Sequence, residues 1–193
     1  MLCVIALATM TCAPRALASA TIPSGLELTK NCTLVGAHDA SAILGTGVEA
    51  FPPETQAGGV CSFSTGSVMQ QGVVSYAVVT QPDVVARAGF FLRLARRCGN
   101  VDPRAPNAAQ CATYRKLIDV TTPQAYFEAR SGTPDAVAQA LGDKAVSNAT
   151  AVYVLRGGEV FECVVRPDET LDVDRSIALA NMLLARVAPI EAP

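Results

Sequence analysis

The run Ala151-Val152-Tyr153-Val154-Leu155-Arg156-Gly157-Gly158-Glu159-Val160-Phe161-Glu162-Cys163-Val164-Val165-Arg166 decides the fold class. β-Branched and aromatic residues crowd both sides of Gly157-Gly158, and such residues between turn signals favour strands over helix. Two adjacent glycines accept the positive φ values of a two-residue type I′ turn, so residues 151–155 and 160–166 read as a hairpin. In its second strand Phe161, Cys163 and Val165 fall on one face, with Val160, Glu162 and Val164 on the other. Downstream, Ile177, Ala180, Leu183, Leu184 and Val187 recur at helical spacing and predict a helix over 173–187. The acidic stretch Asp168 to Asp174 stands at its N-terminal end, where negative charge suits the helix dipole.

An earlier stretch follows the same order. Ser41-Ala42-Ile43-Leu44-Gly45 is matched by Ala138-Gln139-Ala140-Leu141-Gly142, each read as a short helix stopped by glycine. Strands follow over Val60–Thr65 and Val73–Thr80, then a helix from Pro82 to Cys98. That helix sets Val84, Val85, Ala88, Phe91, Leu92 and Ala95 on its inward face. The expected fold is therefore α+β, antiparallel strands with helices packed against them, in two related strand-turn-strand-helix halves. The halves span residues 28–98 and 134–187 of one domain, 21–193, and residues 99–133 join them. Within this joint Asn100 to Asn107 reads as loop and Asn107 to Ile118 as a short helix with Asn107 as N-cap.

Ahead of the domain, residues 1–20 read as a signal peptide. The apolar run from Leu2 to Ala8 is too short to span a bilayer, which needs about 20 residues. Ala16-Leu17-Ala18 and Ala18-Ser19-Ala20 both offer a cleavage site. No Lys or Arg precedes the run, and Arg15 lies beyond it. The residues before Cys12, Thr9-Met10-Thr11, do not make a lipobox. No later apolar run approaches spanning length, so the mature chain is expected to carry no transmembrane segment and to be secreted or periplasmic. In that oxidising space disulfides persist.

Five cysteines follow the leader: Cys32, Cys61, Cys98, Cys111 and Cys163. One must stay single within the chain, and the spacing alone leaves every pairing of the others open. A Cys98–Cys111 bridge would close the Pro-rich loop, and Cys163, in mid-strand, would then be the odd residue. Apolar residues make up 50% of the chain, enough for a packed core, but aromatics only 5%, with no Trp. Platforms for stacking sugars or bases are correspondingly few.

The stretches Leu28-Thr29-Lys30-Asn31-Cys32-Thr33-Leu34, His38 to Gly45 and Cys61-Ser62-Phe63 resemble the opening of a family of small secreted bacterial proteins and lipoproteins of unknown function. In that family a cysteine precedes the first helix, and an alternating strand begins Cys-Ser-aromatic. Leu141-Gly142-Asp143-Lys144-Ala145-Val146 is similar to its Leu-Gly-Asp-x-Ala strand, Arg156-Gly157-Gly158 to its Arg-Gly hairpin, and Ile177–Val187 to its C-terminal helix. A more distant similarity runs to PsbP-like α/β sandwiches. The resemblance implies an envelope location and a Cys32–Cys61 disulfide, and it supplies no activity. The chain departs from the family in lacking a lipobox and in adding Cys98 and Cys111.

Catalytic chemistry finds little material. His38 is the sole histidine, and no zinc-ligand spacing, nucleotide-binding loop or serine-nucleophile motif occurs. Asp168, Glu169, Asp172 and Asp174 lack the glycine and terminal Glu of an EF-hand. No cofactor or metal is therefore expected. The Asn31 and Asn148 sequons are chance matches in a bacterial host. Charge is more informative. Residues 87–116 hold seven basic residues (Arg87, Arg93, Arg96, Arg97, Arg104, Arg115, Lys116) against Asp102 alone, in a chain of net charge −2. Arg93, Arg96 and Arg97 share a helix face and, with the others, would form a patch for an anionic partner such as phospholipid head groups, a cell-wall polymer or an acidic envelope protein. Nucleic acid is disfavoured by export, the net negative charge and the scarcity of aromatics. The preferred expectation is an exported, non-enzymatic binding or structural module of the bacterial envelope. The alternatives are an enzyme with a dispersed active site and a secreted inhibitory or partner protein presenting the Pro52-Pro53 loop. Non-reducing peptide mass spectrometry should return Cys32–Cys61 and Cys98–Cys111 peptides; a Cys61–Cys163 peptide would end that assignment.

Overall fold

The Gly157-Gly158 hairpin forms as its sequence predicts, and a seven-stranded antiparallel sheet is built outward from it. The structure is a computed structural model, and it describes residues 30–50, 59–66, 72–102, 104–105 and 107–187. In chain order the elements are α1 (Ala37–Leu44), β1 (Glu49–Ala50), β2 (Cys61–Ser64), β3 (Val73–Val79), α2 (Gln81–Cys98), α3 (Ala108–Leu117), α4 (Pro123–Ser131), β4 (Val137–Gln139), β5 (Lys144–Ser147), β6 (Val152–Arg156), β7 (Glu159–Arg166) and α5 (Val173–Arg186). A 3₁₀ turn, Lys30–Thr33, precedes α1. Strand order across the sheet is β1-β2-β3-β7-β6-β5-β4. The leader, the residues around Cys12 and the Pro52-Pro53 loop lie outside the described residues.

Alternation along β7 sends side chains into two cores. Phe161, Cys163 and Val165 join Val74, Tyr76, Val152 and Val154 beneath α1 and α5, with Leu179 and Leu183 wholly buried. Val160, with Ala77, Val79, Tyr153 and Leu155, packs beneath α2, α3 and α4, where Val84, Phe91, Tyr126 and Phe127 are buried. Each large apolar side chain so buried contributes about 1.5–3 kcal/mol. The two edge strands are only two and three residues long, which leaves little ladder for a foreign strand to extend.

Both strand-turn-strand-helix units form, and they meet where β3 pairs with β7. Their long helices nevertheless part company: α2 covers one face of the sheet and α5 the other. A two-fold axis that exchanged antiparallel neighbours would keep both on one face, so the units share an order of elements without that symmetry.

Local signals account for most boundaries. Asp83 accepts from the Thr80 backbone N–H (2.9 Å) at the start of α2. Asp172 accepts from Arg175 N–H (2.9 Å) at the start of α5. Gly45 ends α1 at φ 82°. Gly157 and Gly158, at φ 56° and 81°, make the hairpin turn.

Two expectations are corrected. Ala138 to Leu141 does not form a helix, because Val137–Gln139 pairs with β5 as an edge strand. Gly142 there serves close approach instead of a helix end: a Cβ would come within 2.7 Å of the Leu155 carbonyl. Its neighbour Asp143 donates its N–H to that carbonyl (2.8 Å) and accepts from Gly157 N–H (2.8 Å), so the Leu-Gly-Asp and Arg-Gly-Gly segments brace one another. Val85, expected inward, is 57% exposed, and Arg87 takes the inward turn between Val84 and Phe91.

Cys32–Cys61 and Cys98–Cys111 are both bridged, and Cys163 is single and buried. The second bridge holds the end of α2 against α3. Replacing Cys98 and Cys111 together by Ser should lower unfolding stability in urea by about 3 kcal/mol, the loop-closure value for a bridge of this span. An unchanged midpoint would show that the helix contacts suffice without it.

Candidate functional site

Glu162 sits on β7 among apolar neighbours, on the face covered by α2 and α4, and it is 9% exposed. An isolated carboxylate there would be prohibitively expensive, so its partners define the site. Arg87 reaches down from α2 and donates from Nη1 to Glu162 Oε2 (3.0 Å) and to the Tyr126 hydroxyl (2.9 Å). Tyr126, on α4, donates its O–H to Glu162 Oε1 (3.0 Å). One turn later Arg130 donates from Nε to the same oxygen (3.1 Å). Arg130 also lies over the ring of Tyr153, 5.3 Å from its centroid, whose hydroxyl meets Thr150 Oγ1 at 2.9 Å.

Helix periodicity explains the convergence. Val84, Arg87 and Phe91 form the inward stripe of α2, while Tyr126 and Arg130 are i and i+4 on α4. Thr122 caps α4 by accepting from Ala125 N–H (3.2 Å), and Pro123 opens its first turn. Asn148 ties down the other end, donating from Nδ2 to the Arg130 carbonyl (3.2 Å). This buried Asn is a structural turn residue, although its sequence fits the glycosylation pattern.

Beside the cluster, a cavity of about 210 Å³ opens between α2, α3 and α4. Val60, Phe90, Phe91, Leu94 and Tyr114 make its apolar wall, and the Arg87–Tyr126–Arg130–Glu162 cluster forms its polar side. A larger groove of about 550 Å³ adjoins it, sharing Tyr114 and Arg130 and continuing past Thr113, Asn148, Thr150 and Arg166.

The electrostatics hold Glu162 ionised and keep the buried phenols neutral. Burial by itself would raise the Glu162 pKa, but Arg130, Arg87 and the Tyr126 hydroxyl outweigh it and keep the carboxyl below its ordinary 4.5. Burial, then the Glu162 charge, push Tyr126 well above the usual phenol range. Burial pushes Tyr153 up to about 12. Cys163, on the opposite face of β7, is likewise raised by burial and then by Glu162, so it is a core residue and not a thiolate.

The expected arginine patch is brought together in part. Arg93, Arg96 and Arg97 are exposed on α2, and none forms an ion pair with a described residue. Arg115 joins them by donating to the Gly99 carbonyl (2.6 Å), and Arg104 and Lys116 are exposed nearby in sequence. Arg87 is not part of the patch: it is 6% exposed and belongs to the buried cluster. His38 is exposed on α1, on the other side of the sheet. Among the described residues no group of His, Cys, Asp and Glu is placed to hold a metal.

Sequence reading missed the cluster. Glu162 was correctly placed on a strand face and Arg87 on a helix, but nothing local says that residues 75 positions apart meet. The available signals were an acid in the middle of an apolar strand and Thr122-Pro123 at the head of an unrecognised helix.

Glu162→Leu should destabilise the fold by about 3–5 kcal/mol, because two guanidinium groups lose their partner. The pH sense follows from the lowered pKa. The Glu162 contribution is complete above the free-chain value near 4.5 and is lost as pH falls through the lower folded value. Urea midpoints of the wild type should therefore fall in that acid range by more than those of the Leu variant.

No family model matches the chain, and no curated protein and no solved structure is significantly similar to it, so the functional reading rests on this geometry.

Proposed function

We propose that the protein is an exported, non-enzymatic binding module of the bacterial envelope, and that it presents the α2–α3–α4 side to an anionic component. The observation that carries this reading is the state of Glu162. Both its oxygens are occupied by donors from Arg87, Tyr126 and Arg130, and it is held ionised. A general acid or base works best with a pKa near the working pH, and Glu162 is displaced below that range while Tyr126 is displaced above it. Fixed guanidinium charge beside an apolar wall is suited to holding a ligand and not to moving protons.

Three further observations support the reading. Arg93, Arg96 and Arg97 are exposed on α2, the helix that also lines the cavity, and form no ion pair with a described residue. The two disulfides are compatible with an oxidising compartment. No helix among the described residues is long and apolar enough to cross a membrane. The resemblance of the Cys-Ser-aromatic strand and Leu-Gly-Asp segment to small exported proteins points the same way.

Sedimentation with vesicles containing anionic phospholipid, and with isolated anionic wall polymer, tests it. Binding should weaken as salt rises from about 0.05 to about 0.5 M, because the Debye length shrinks several-fold over that range. The R93A/R96A/R97A variant should lose most of it. Binding that is indifferent to salt and to the triple substitution would remove the arginine face from the proposal.

A further inference from the structure

We infer that the 210 Å³ cavity beside Arg87 and Arg130 is a binding site for a small monocarboxylate with a flat apolar body. The inference rests on reading the α2–α3–α4 side as a binding face, and it adds the chemistry of an occupant.

Charge comes first. Glu162 supplies one negative charge to two guanidinium groups, so the cluster retains a surplus of one positive charge where Arg87 is 6% exposed. In such surroundings an added anion is attracted more strongly than on open surface. Donor capacity comes second. Arg87 Nε is buried without a hydrogen-bond partner, and Arg87 lines the cavity. Arg130 spends Nε on Glu162, and its two terminal nitrogens form no hydrogen bond among the described residues. The Arg130 edge, on a side chain 23% exposed, is left open and matches the two oxygens of a carboxylate, while the covered Arg87 Nε adds to the unspent positive charge behind it.

Shape and polarity set the remainder of the ligand. The wall opposite the arginines is Phe90, Phe91, Leu94 and Tyr114, with Phe91 and Tyr114 stacked 6.2 Å apart. An engineered cavity of about 150 Å³ accepts benzene, so 210 Å³ holds a ring together with one carboxylate. A compact dianion fits less well. It would leave the apolar wall uncovered and would bring a second negative charge towards Glu162. The groove that shares Tyr114 and Arg130 gives the cavity its approach.

Titration calorimetry of the disulfide-bonded chain with benzoate tests this, with benzamide as the neutral isostere and inorganic phosphate as the compact anion. Benzoate should bind, and benzamide and phosphate should each be weaker by about tenfold or more, the value of a charge-assisted hydrogen bond. Arg130→Gln should weaken benzoate by a similar factor. Because that change also touches the buried cluster, Leu94→Trp provides a second variant, filling the cavity from its apolar wall and abolishing benzoate binding while thermal melting reports an intact fold. Equal affinity for benzoate and benzamide, or benzoate binding untouched by Leu94→Trp, would overturn the inference. If benzoate fails to bind while the vesicle or wall-polymer binding stays salt-sensitive, the cavity proposal falls and the binding-face reading stands. If both fail, both fall.

Discussion

Seven residue pairs join β3 to β7, from Val73 opposite Arg166 to Val79 opposite Val160, and this ladder ties the two halves of the chain together. It places β7 in the middle of the sheet with helices over both faces. The buried middle of this strand, Val160 to Cys163, has no solvent-facing register, so each side chain there must be apolar or partnered. Glu162 is the residue that meets the second condition. Its charge requires Arg87 from one helix and Arg130 from another, and the placement of α2 and α4 over this face is thereby constrained by charge as well as by shape.

A buried ion pair is weak evidence for stability, since an apolar replacement of equal volume often does as well. Here the cluster is not a balanced pair. Two cations answer one anion, one of them keeps a buried nitrogen without a partner, and a cavity lies alongside. A purely structural device would be expected to close its own hydrogen bonds. That imbalance separates this cluster from the Asp39–Arg186 contact, where the Arg186 hydrogen bond and then the Gly36 N–H hold the Asp39 carboxyl near 2 and one acid meets one base at the surface.

Much of the sheet was legible because its signals are local. Gly157-Gly158 announced a turn, alternation in Phe161-Glu162-Cys163-Val164-Val165 assigned faces, and the spacing of Ile177, Ala180 and Leu183 set the inward stripe of α5. The failures arise where tertiary context overrides local pattern. Ala138-Gln139-Ala140-Leu141 carries helical propensity, yet pairing with β5 claims its first two residues as strand and the rest is not helical. Arg87 belongs by composition to a basic surface segment, but helix phase turns it inward between Val84 and Phe91. The site was less legible than the fold, because it is assembled from α2, α4 and β7 and no short motif spans them.

The core beneath α1 and α5 has a further consequence. Arg175 donates to the Leu44 carbonyl (2.7 Å) and Arg186 to the Leu34 carbonyl (2.6 Å), so the first helix is closed off by the last across 131 and 152 residues. Contacts so distant in sequence are the slow ones to form, since the loop between them must be ordered first. Until α5 docks, α1 lacks these two closures, although β3 and β7 already pack against it. The face carrying the arginine cluster closes on a shorter tether, 75 residues from Arg87 to Glu162, and needs no part of α5. The layer beneath α1 and α5 therefore depends on the most distant closures in the chain, and the layer that carries the arginine cluster on a nearer one.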